Sequence, residues 1–204
     1  MLKEEKMKEY SAGIVSTSFW YSEFRQYLQL IKLGMSEDTI REKAIAQNIF
    51  LASTPARSKR MIGALTNRVG SLDEDEKELF DELDIPNQKA LNMIAIMNTN
   101  KLIREFMYEI YRNELILGDS VIEPHEYVAF FNKKQSESAE VAAWTDQTVH
   151  RMKGIIHTFL IDAGLVVEEN GKDYIKRLQL NRRLRQLFIN KGQQILVDSL
   201  TGEN

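Results

Sequence analysis

Apolar side chains recur three and four residues apart in residues 143–165, at Val149, Met152, Ile156, Phe159 and Ala163. This spacing places them on one face of an α-helix and predicts that the face packs against a core. The opposite face carries Gln147, His150, Arg151, Gly154 and Thr158. Polar side chains of this kind contact base edges in DNA, and a glycine allows another backbone to come close. The pattern predicts a recognition helix with a polar outer face.

The residues that flank this helix predict its ends and the element that follows it. Thr145 has the hydroxyl of an N-cap, and Gly164 suits the left-handed position at which helices end. Two short β-prone runs then surround Asn170-Gly171, which is a strong signal for a two-residue hairpin turn. A helix followed by a small hairpin is the order found in winged helix-turn-helix modules. The alternative is an ordinary buried helix followed by a loop.

A second group of helical patterns lies near the amino terminus. Three runs, beginning at Ser18, Ser36 and Thr54, predict three helices within residues 18–72. The third helix has an inner apolar stripe and an outer side with Arg57, Arg60, Gly63 and Asn67. Four basic residues and no acid lie in this part of the chain, and they are Arg57, Lys59, Arg60 and Arg68. These features predict a helix-turn-helix with a basic third helix. The alternative is a structural helix with a solvated basic face.

The two candidate helices resemble each other in sequence. Residues 60–67 (RMIGALTN) and 151–158 (RMKGIIHT) share arginine, methionine, glycine and an apolar residue in the same register. The match is weak support for two similar modules.

The remaining segments differ sharply in charge. Ser71 and Glu74 have the spacing of a capping box, and residues 73–84 contain eight acids and one lysine. This pattern fits a solvated helix face or a surface that docks a basic partner. Residues 86–117 are rich in apolar side chains and predict a pair of central core helices. The first is expected to be buried on more than one side, and Gly118-Asp119 is expected to end the second. Ser136 is expected to begin a short helix that ends at Ala143, and a final helix is expected over residues 178–200 with a break near Gly192. Residues 172–191 contain seven basic residues and one acid, and the phosphate-contact candidates there are Lys172, Arg182, Arg183 and Arg185.

Composition narrows the class of protein. The 204 residues carry a net charge of −3, so a claim of nucleic-acid binding must rest on local clusters of charge. The absence of cysteine excludes disulfides and favours the cytoplasm. Residues 1–9 are charged and lack the apolar stretch of a signal peptide. The longest apolar run, residues 93–97, is far shorter than the ~20 residues of a membrane span.

No motif for catalysis, cofactor binding or metal binding stands out. The chain has no glycine-rich phosphate loop, dinucleotide fingerprint or nucleophile elbow. Its three histidines, His125, His150 and His157, include no pair four residues apart, so no metal site is expected. We therefore expect no catalytic residues, no metal and no cofactor.

The patterns combine into a prediction of fold and organisation. The fold class is all-α, with two helix-turn-helix-like modules around a central helical core and one short β-hairpin near Asn170-Gly171. The expected boundaries are 1–72 for the amino-terminal module, 73–120 for the central core and 121–204 for the winged carboxy-terminal module.

Four stretches resemble the BrxA family, a core component of bacteriophage-exclusion (BREX) defence systems. They are residues 10–20 (YSAGIVSTSFW), 102–112 (LIREFMYEIYR), 116–119 (ILGD), and 143–145 (AWT) with 159–165 (FLIDAGL). The resemblance implies a helical, cytoplasmic monomer with two helix-turn-helix elements and a basic surface that binds double-stranded DNA.

The resulting functional hypothesis is a non-enzymatic DNA-binding accessory protein of phage defence. The predicted contacts are Arg57, Lys59, Arg60, Asn67 and Arg68 in the amino-terminal module, and Gln147, His150, Arg151, Lys153, Lys172, Arg182, Arg183 and Arg185 in the carboxy-terminal module. The alternative is a protein-interaction adaptor that docks to larger BREX components through the acidic segment or exposed apolar residues. A membrane role is not expected.

Overall fold

The structure is a computed structural model that describes residues 9–118 and 120–203. The α-helices are α1 (Tyr21–Lys32), α2 (Glu37–Ala46), α3 (Pro55–Gly70), α4 (Glu74–Leu79), α5 (Ile85–Thr99), α6 (Lys101–Phe106), α7 (Arg112–Leu117), α8 (Pro124–Glu137), α9 (Ala139–Ala142), α10 (Asp146–Ala163), α11 (Arg182–Asn190) and α12 (Gln194–Thr201). The strands are β1 (Val121–Ile122), β2 (Val166–Glu169) and β3 (Lys172–Ile175). A helical content of 71% confirms the predicted class, because soluble proteins average roughly one third helix.

Local capping chemistry fixes the ends of α3 and α10. The Thr54 hydroxyl accepts a hydrogen bond of 3.1 Å from the Arg57 N–H, one residue before the proline that begins α3. Thr145 does the same for the Thr148 N–H at 3.2 Å, and Gly164 ends α10 with a φ of 74°. The predicted starts of both helices and the predicted end of α10 are confirmed.

The predicted hairpin is present, and it belongs to a three-stranded antiparallel sheet with the order β1-β3-β2. Asn170 and Gly171 form the turn with φ values of 54° and 74°, the left-handed pair that suits the twist of two antiparallel strands. The edge strand β1 was not predicted from the sequence. It pairs Val121 with Tyr174 and Ile122 with Asp173, so it joins the hairpin to the start of α8.

The central helix α5 organises the core. Residues 90–97 are all buried, and α5 contacts α1, α3, α6, α10 and α12. The apolar residues of this helix belong to the same continuous cluster as those of α3 and α10. The prediction that this helix is buried on more than one side is therefore confirmed. A π-helical segment at Met107–Tyr111 connects α6 to α7.

Several boundaries differ from the predicted ones. Trp20, not Ser18, precedes α1, with a left-handed φ of 49°. Ser136 bonds back to the Lys133 carbonyl inside α8, and Ser138 has the extended backbone that begins α9. The last predicted helix begins at Arg182 rather than at residue 178, and its predicted break near Gly192 is confirmed, since Gly192 separates α11 from α12. The predicted break at Gly118-Asp119 is confirmed at Gly118, which ends α7 with a φ of 77°. Asp119 itself and residues 1–8 of the charged leader lie outside the described residues. None of the described helices is long and apolar enough to cross a membrane.

Candidate nucleic-acid interface

The two faces of α10 are oriented as the spacing predicts. Met152 and Ile156 are buried against the core, whereas Gln147, His150 and Arg151 are exposed. Among the residues that the structure describes, none forms an ion pair with Arg151. The outer face therefore offers an amide, an imidazole and a guanidinium to a partner.

A cleft of about 380 Å³ lies between α10 and the β2–β3 hairpin, and we call it the helix–hairpin cleft. One wall is a strip of α10 formed by His150, Lys153, Gly154 and His157. The other residues around the cleft come from β1, the start of α8 and the hairpin, and they include Ile122, Pro124, Tyr127, Glu168, Gly171 and Asp173. Thus the cleft continues the polar outer face of α10 toward the hairpin.

A buried carboxylate closes the inner end of this cleft. Asp173 Oδ2 accepts a hydrogen bond of 2.5 Å from the Tyr127 hydroxyl and lies 2.9 Å from His157 Nδ1. Because an ionised carboxylate only accepts hydrogen bonds, the His157 nitrogen is the donor. Burial, followed by the bond to Asp173, raises the pKa of the Tyr127 hydroxyl, which stays protonated. The three side chains tie α8, α10 and β3 together.

Sequence reasoning did not find this network. Tyr127 and His157 are 46 and 16 residues away from Asp173, and neither spacing is a local signal. Their meeting depends on the pairing of β1 with β3, which brings the start of α8 beside the hairpin.

The outer side of α3 is only partly as predicted. Lys59, Arg60 and Asn67 are exposed, and in the described ranges neither cation forms an ion pair. Arg57 is half-buried and lies over the Trp20 ring at 5.7 Å. Lys59 and Arg60 are therefore the available cations of this helix.

The placement of Arg68 among the outward cations is wrong. This side chain is buried, donates hydrogen bonds of 2.7 and 2.8 Å to the carbonyls of Phe19 and Ser18, and lies over Trp20 and Phe159. Position 68 follows Leu65 by three residues and therefore falls beside the inner stripe. Burial lowers the pKa of Arg68 to about 10, and the guanidinium stays charged at neutral pH. It has no surface to offer a phosphate.

The basic residues near the carboxy terminus are largely engaged within the chain. Arg183 pairs with Glu82, Arg185 pairs with Glu203, and the ammonium of Lys172 lies 2.7 Å from Glu123. Arg182 is exposed and forms no ion pair with the described residues. Of the four phosphate contacts predicted in this region, Arg182 is thus the one that remains available.

The acidic segment is also engaged within the chain. Lys32 reaches Asp81 at 2.5 Å, and Lys191 reaches Glu76 and Asp73 at 2.8 and 3.2 Å. The predicted capping box over Ser71 and Glu74 is shifted, because Asp73 and Glu76 form it instead. Part of the negative charge of this segment is therefore paired with cations from elsewhere in the chain.

Gly63 and Gly154 sit in the interiors of α3 and α10, three residues after Arg60 and Arg151. A Cβ added at either position would meet no atom within 4 Å. Packing within the described chain therefore does not require either glycine.

Within the described residues, no three His, Cys, Asp or Glu residues are grouped as a metal ion would need.

Comparisons with known proteins agree on one family. The family model for BrxA matches residues 8–192. The BREX protein BrxA of Bacillus cereus (strain H3081.97) is 30% identical over 203 residues, with 100% of both chains covered. The BREX protein BrxA of Escherichia coli O9:H4 (strain HS) is 22% identical over 89% of this chain and 84% of its own. An uncharacterized protein from Magnetospirillum magneticum has a similar fold, with a TM-score of 0.80 at 14% identity, over 96% of this chain and 100% of its own.

Proposed function

The chain belongs to the BrxA family of BREX defence proteins, and we propose that it is a non-enzymatic accessory protein that binds double-stranded DNA. The observation that carries the proposal is the outer face of α10, where exposed Gln147, His150 and Arg151 lie beside the helix–hairpin cleft. In this function α10 is the recognition helix and the β2–β3 hairpin is its wing. Lys59 and Arg60 on α3 provide the contacts of a second helix-turn-helix.

The distribution of charge supports this proposal despite the net charge of −3. Acids of residues 73–84 pair with Lys32, Arg183 and Lys191, whereas Arg60 and Arg151 are exposed and form no ion pair with the described residues. An exposed cation that is not already paired can bind phosphate without first breaking an internal contact. Phosphate contacts would position the protein, and Gln147 would contact base edges. We further propose a cytoplasmic monomer.

A protein-interaction adaptor is the second hypothesis, and exposed apolar side chains favour it. Leu33, Leu51 and Leu117 are 78, 87 and 76% exposed. Residues of this kind can dock to other BREX components, although single exposed leucines are also common on soluble proteins. The acidic segment is less suited to this role because partners within the chain already occupy much of it.

The test is a fluorescence-anisotropy titration of labelled duplex at several salt concentrations. The wild-type protein should bind, and log K should fall linearly with log salt. Each phosphate contact contributes a slope of about 0.9, so Arg60→Glu combined with Arg151→Glu should flatten the slope by roughly two units if both arginines touch phosphate.

The matched control is Arg183→Glu, which changes an exposed arginine that already pairs with Glu82 and should leave the slope unchanged. Absence of wild-type binding at low salt would refute the DNA hypothesis and favour the adaptor. If the double variant binds with an unchanged slope, the DNA-binding surface lies elsewhere on the protein, and Arg182 is the next residue to change.

A further inference from the structure

We propose that the helix–hairpin cleft holds the sugar–phosphate backbone of one DNA strand, with Gly154 at the point of closest approach and Lys153 as the phosphate contact. The inference rests on the proposed function and adds the path of a strand across the protein. It assigns a role to a cleft whose residues come from β1, α8, α10 and the hairpin.

Gly154 is the first observation behind this proposal. It is an exposed residue in the interior of an 18-residue helix, where glycine is less favourable than alanine. Its conformation is helical, so no left-handed backbone requires it, and an added Cβ would meet nothing within 4 Å. The missing side chain therefore leaves room for something outside the chain. Because Gly154 lines the cleft, that space opens directly into it.

The shape of the cleft wall favours an extended occupant. One strip of α10 carries His150, Gly154 and His157, and the first and last of these are seven positions apart in the chain. At 1.5 Å per residue this strip is about 10 Å long. A strand backbone can follow such a strip, whereas a compact ligand would use only part of it. Exposed Pro124 supplies apolar surface suited to the deoxyribose.

The charged side chains that line the cleft identify Lys153 as the phosphate contact. Lys153 forms no ion pair with the described residues, so its ammonium is available to a phosphate. The Asp173 carboxylate is buried and accepts hydrogen bonds from Tyr127 and His157. Glu168 is the opposing group, because it lines the cleft while its Oε1 accepts a hydrogen bond of 3.3 Å from the Gly171 N–H. A strand in the cleft would thus be attracted by Lys153 and repelled by Glu168.

The decisive variant is Gly154→Ala, because folding and binding should change in opposite directions. Alanine is the better helix former, so the Tm should rise by about 1 to 4 °C. The added methyl group should keep the strand from lying against α10 and weaken duplex binding by roughly tenfold, the effect of 1.4 kcal/mol. Gly70→Ala is the matched control, since Gly70 is also exposed, ends α3 and has no atom near an added Cβ. It should leave binding unchanged.

Two side-chain variants test the charges by anisotropy on the same duplex. Lys153→Gln should lower the salt slope of log K by about 0.9, the value for one phosphate contact. Glu168→Gln should tighten binding, because it removes a like charge from the path of the strand.

The outcomes separate this inference from the proposed function. In one outcome Gly154→Ala binds duplex with wild-type affinity, while Arg60→Glu combined with Arg151→Glu still flattens the salt slope. The strand would then not lie in the cleft, although the protein would still bind DNA. A wild-type protein that does not bind duplex would overturn both. A third result would identify the cleft as a small-anion site and overturn the inference. In this case sodium phosphate competes with duplex at constant ionic strength, Lys153→Gln abolishes the competition, and Gly154→Ala binds duplex normally.

Discussion

The guanidinium of Arg68 lies 6.0 Å from the centre of the Phe159 ring, which joins α3 directly to α10. The same group donates to the carbonyls of Phe19 and Ser18 and lies over the Trp20 ring at 5.7 Å. The two helices that carry outward cations are therefore held in one core by a residue that itself faces inward.

Replacing Arg68 should show that the hydrogen-bond geometry of its guanidinium contributes more to stability than its charge does. Arg68→Lys keeps a buried charge but cannot reach both carbonyls in the same geometry, so we expect a loss of about 1 to 3 kcal/mol of stability in urea unfolding. Arg68→Met removes the burial penalty of the charge and should destabilise the protein less than lysine does. A lysine variant as stable as the wild type would contradict this account of the site.

The bond from Tyr127 to Asp173 should contribute measurably to stability. Tyr127→Phe removes the donor and leaves the buried carboxylate with His157 alone, which should cost about 1 to 3 kcal/mol. Tyr108→Phe is the control, because Tyr108 is 36% exposed and should change stability little. Equal unfolding midpoints for both variants would mean that the network contributes little.

Stability should decline above about pH 10, the ordinary pKa of tyrosine. Burial raises the pKa of the hydroxyls of Tyr111 and Tyr127 in the folded protein. Because the folded pKa lies above the unfolded one, the stabilising contribution is complete below pH 10 and is lost as the pH rises toward the folded pKa. Each hydroxyl should add at most about 1.4 kcal/mol per pH unit to the decline. In urea titrations, Tyr127→Phe should therefore give a shallower decline than the wild type, and an identical decline would argue against this origin.

The backbone of Leu51 is expected to be strained. This residue has a φ of 53° although its side chain is 87% exposed, and it lies in a turn where Asn48 bonds both the N–H and the carbonyl of Ala52. Asparagine tolerates the left-handed region better than leucine, so Leu51→Asn should stabilise the protein by up to about 1 kcal/mol. Leu33→Asn is the matched control at a negative φ and should give no gain. A rise in Tm in both variants would point to an effect of exposed leucines in general.

Duplex binding should not require a metal ion. The proposed contacts are guanidinium, ammonium, imidazole and amide groups, which bind phosphate and base edges directly. Affinity should survive EDTA, and duplex incubated with magnesium or manganese should remain intact on a denaturing gel. Cleavage that disappears when a single carboxylate is changed would show the protein to be a nuclease.

The sequence alone determined features whose signals are local. The Thr54-Pro55 and Thr145 starts, the end at Gly164 and the hairpin at Asn170-Gly171 all follow from the conformational preferences of a few adjacent residues. Helical spacing likewise predicted which face of α10 is buried. The resemblance to BrxA was also carried by short stretches of sequence, and the family match confirms it.

Tertiary structure decided the features that depend on residues far apart in the chain. Arg68 is buried because the carbonyls of Phe19 and Ser18 and the ring of Phe159 surround its guanidinium, whereas Arg60 on the same helix is exposed. Glu82 engages Arg183 from 101 positions away, and Asp173 meets Tyr127 only because β1 pairs with β3. Helical spacing places Arg68 beside the inner stripe, but the free energy that decides whether a long basic side chain is buried or exposed comes from packing between elements rather than from local conformation.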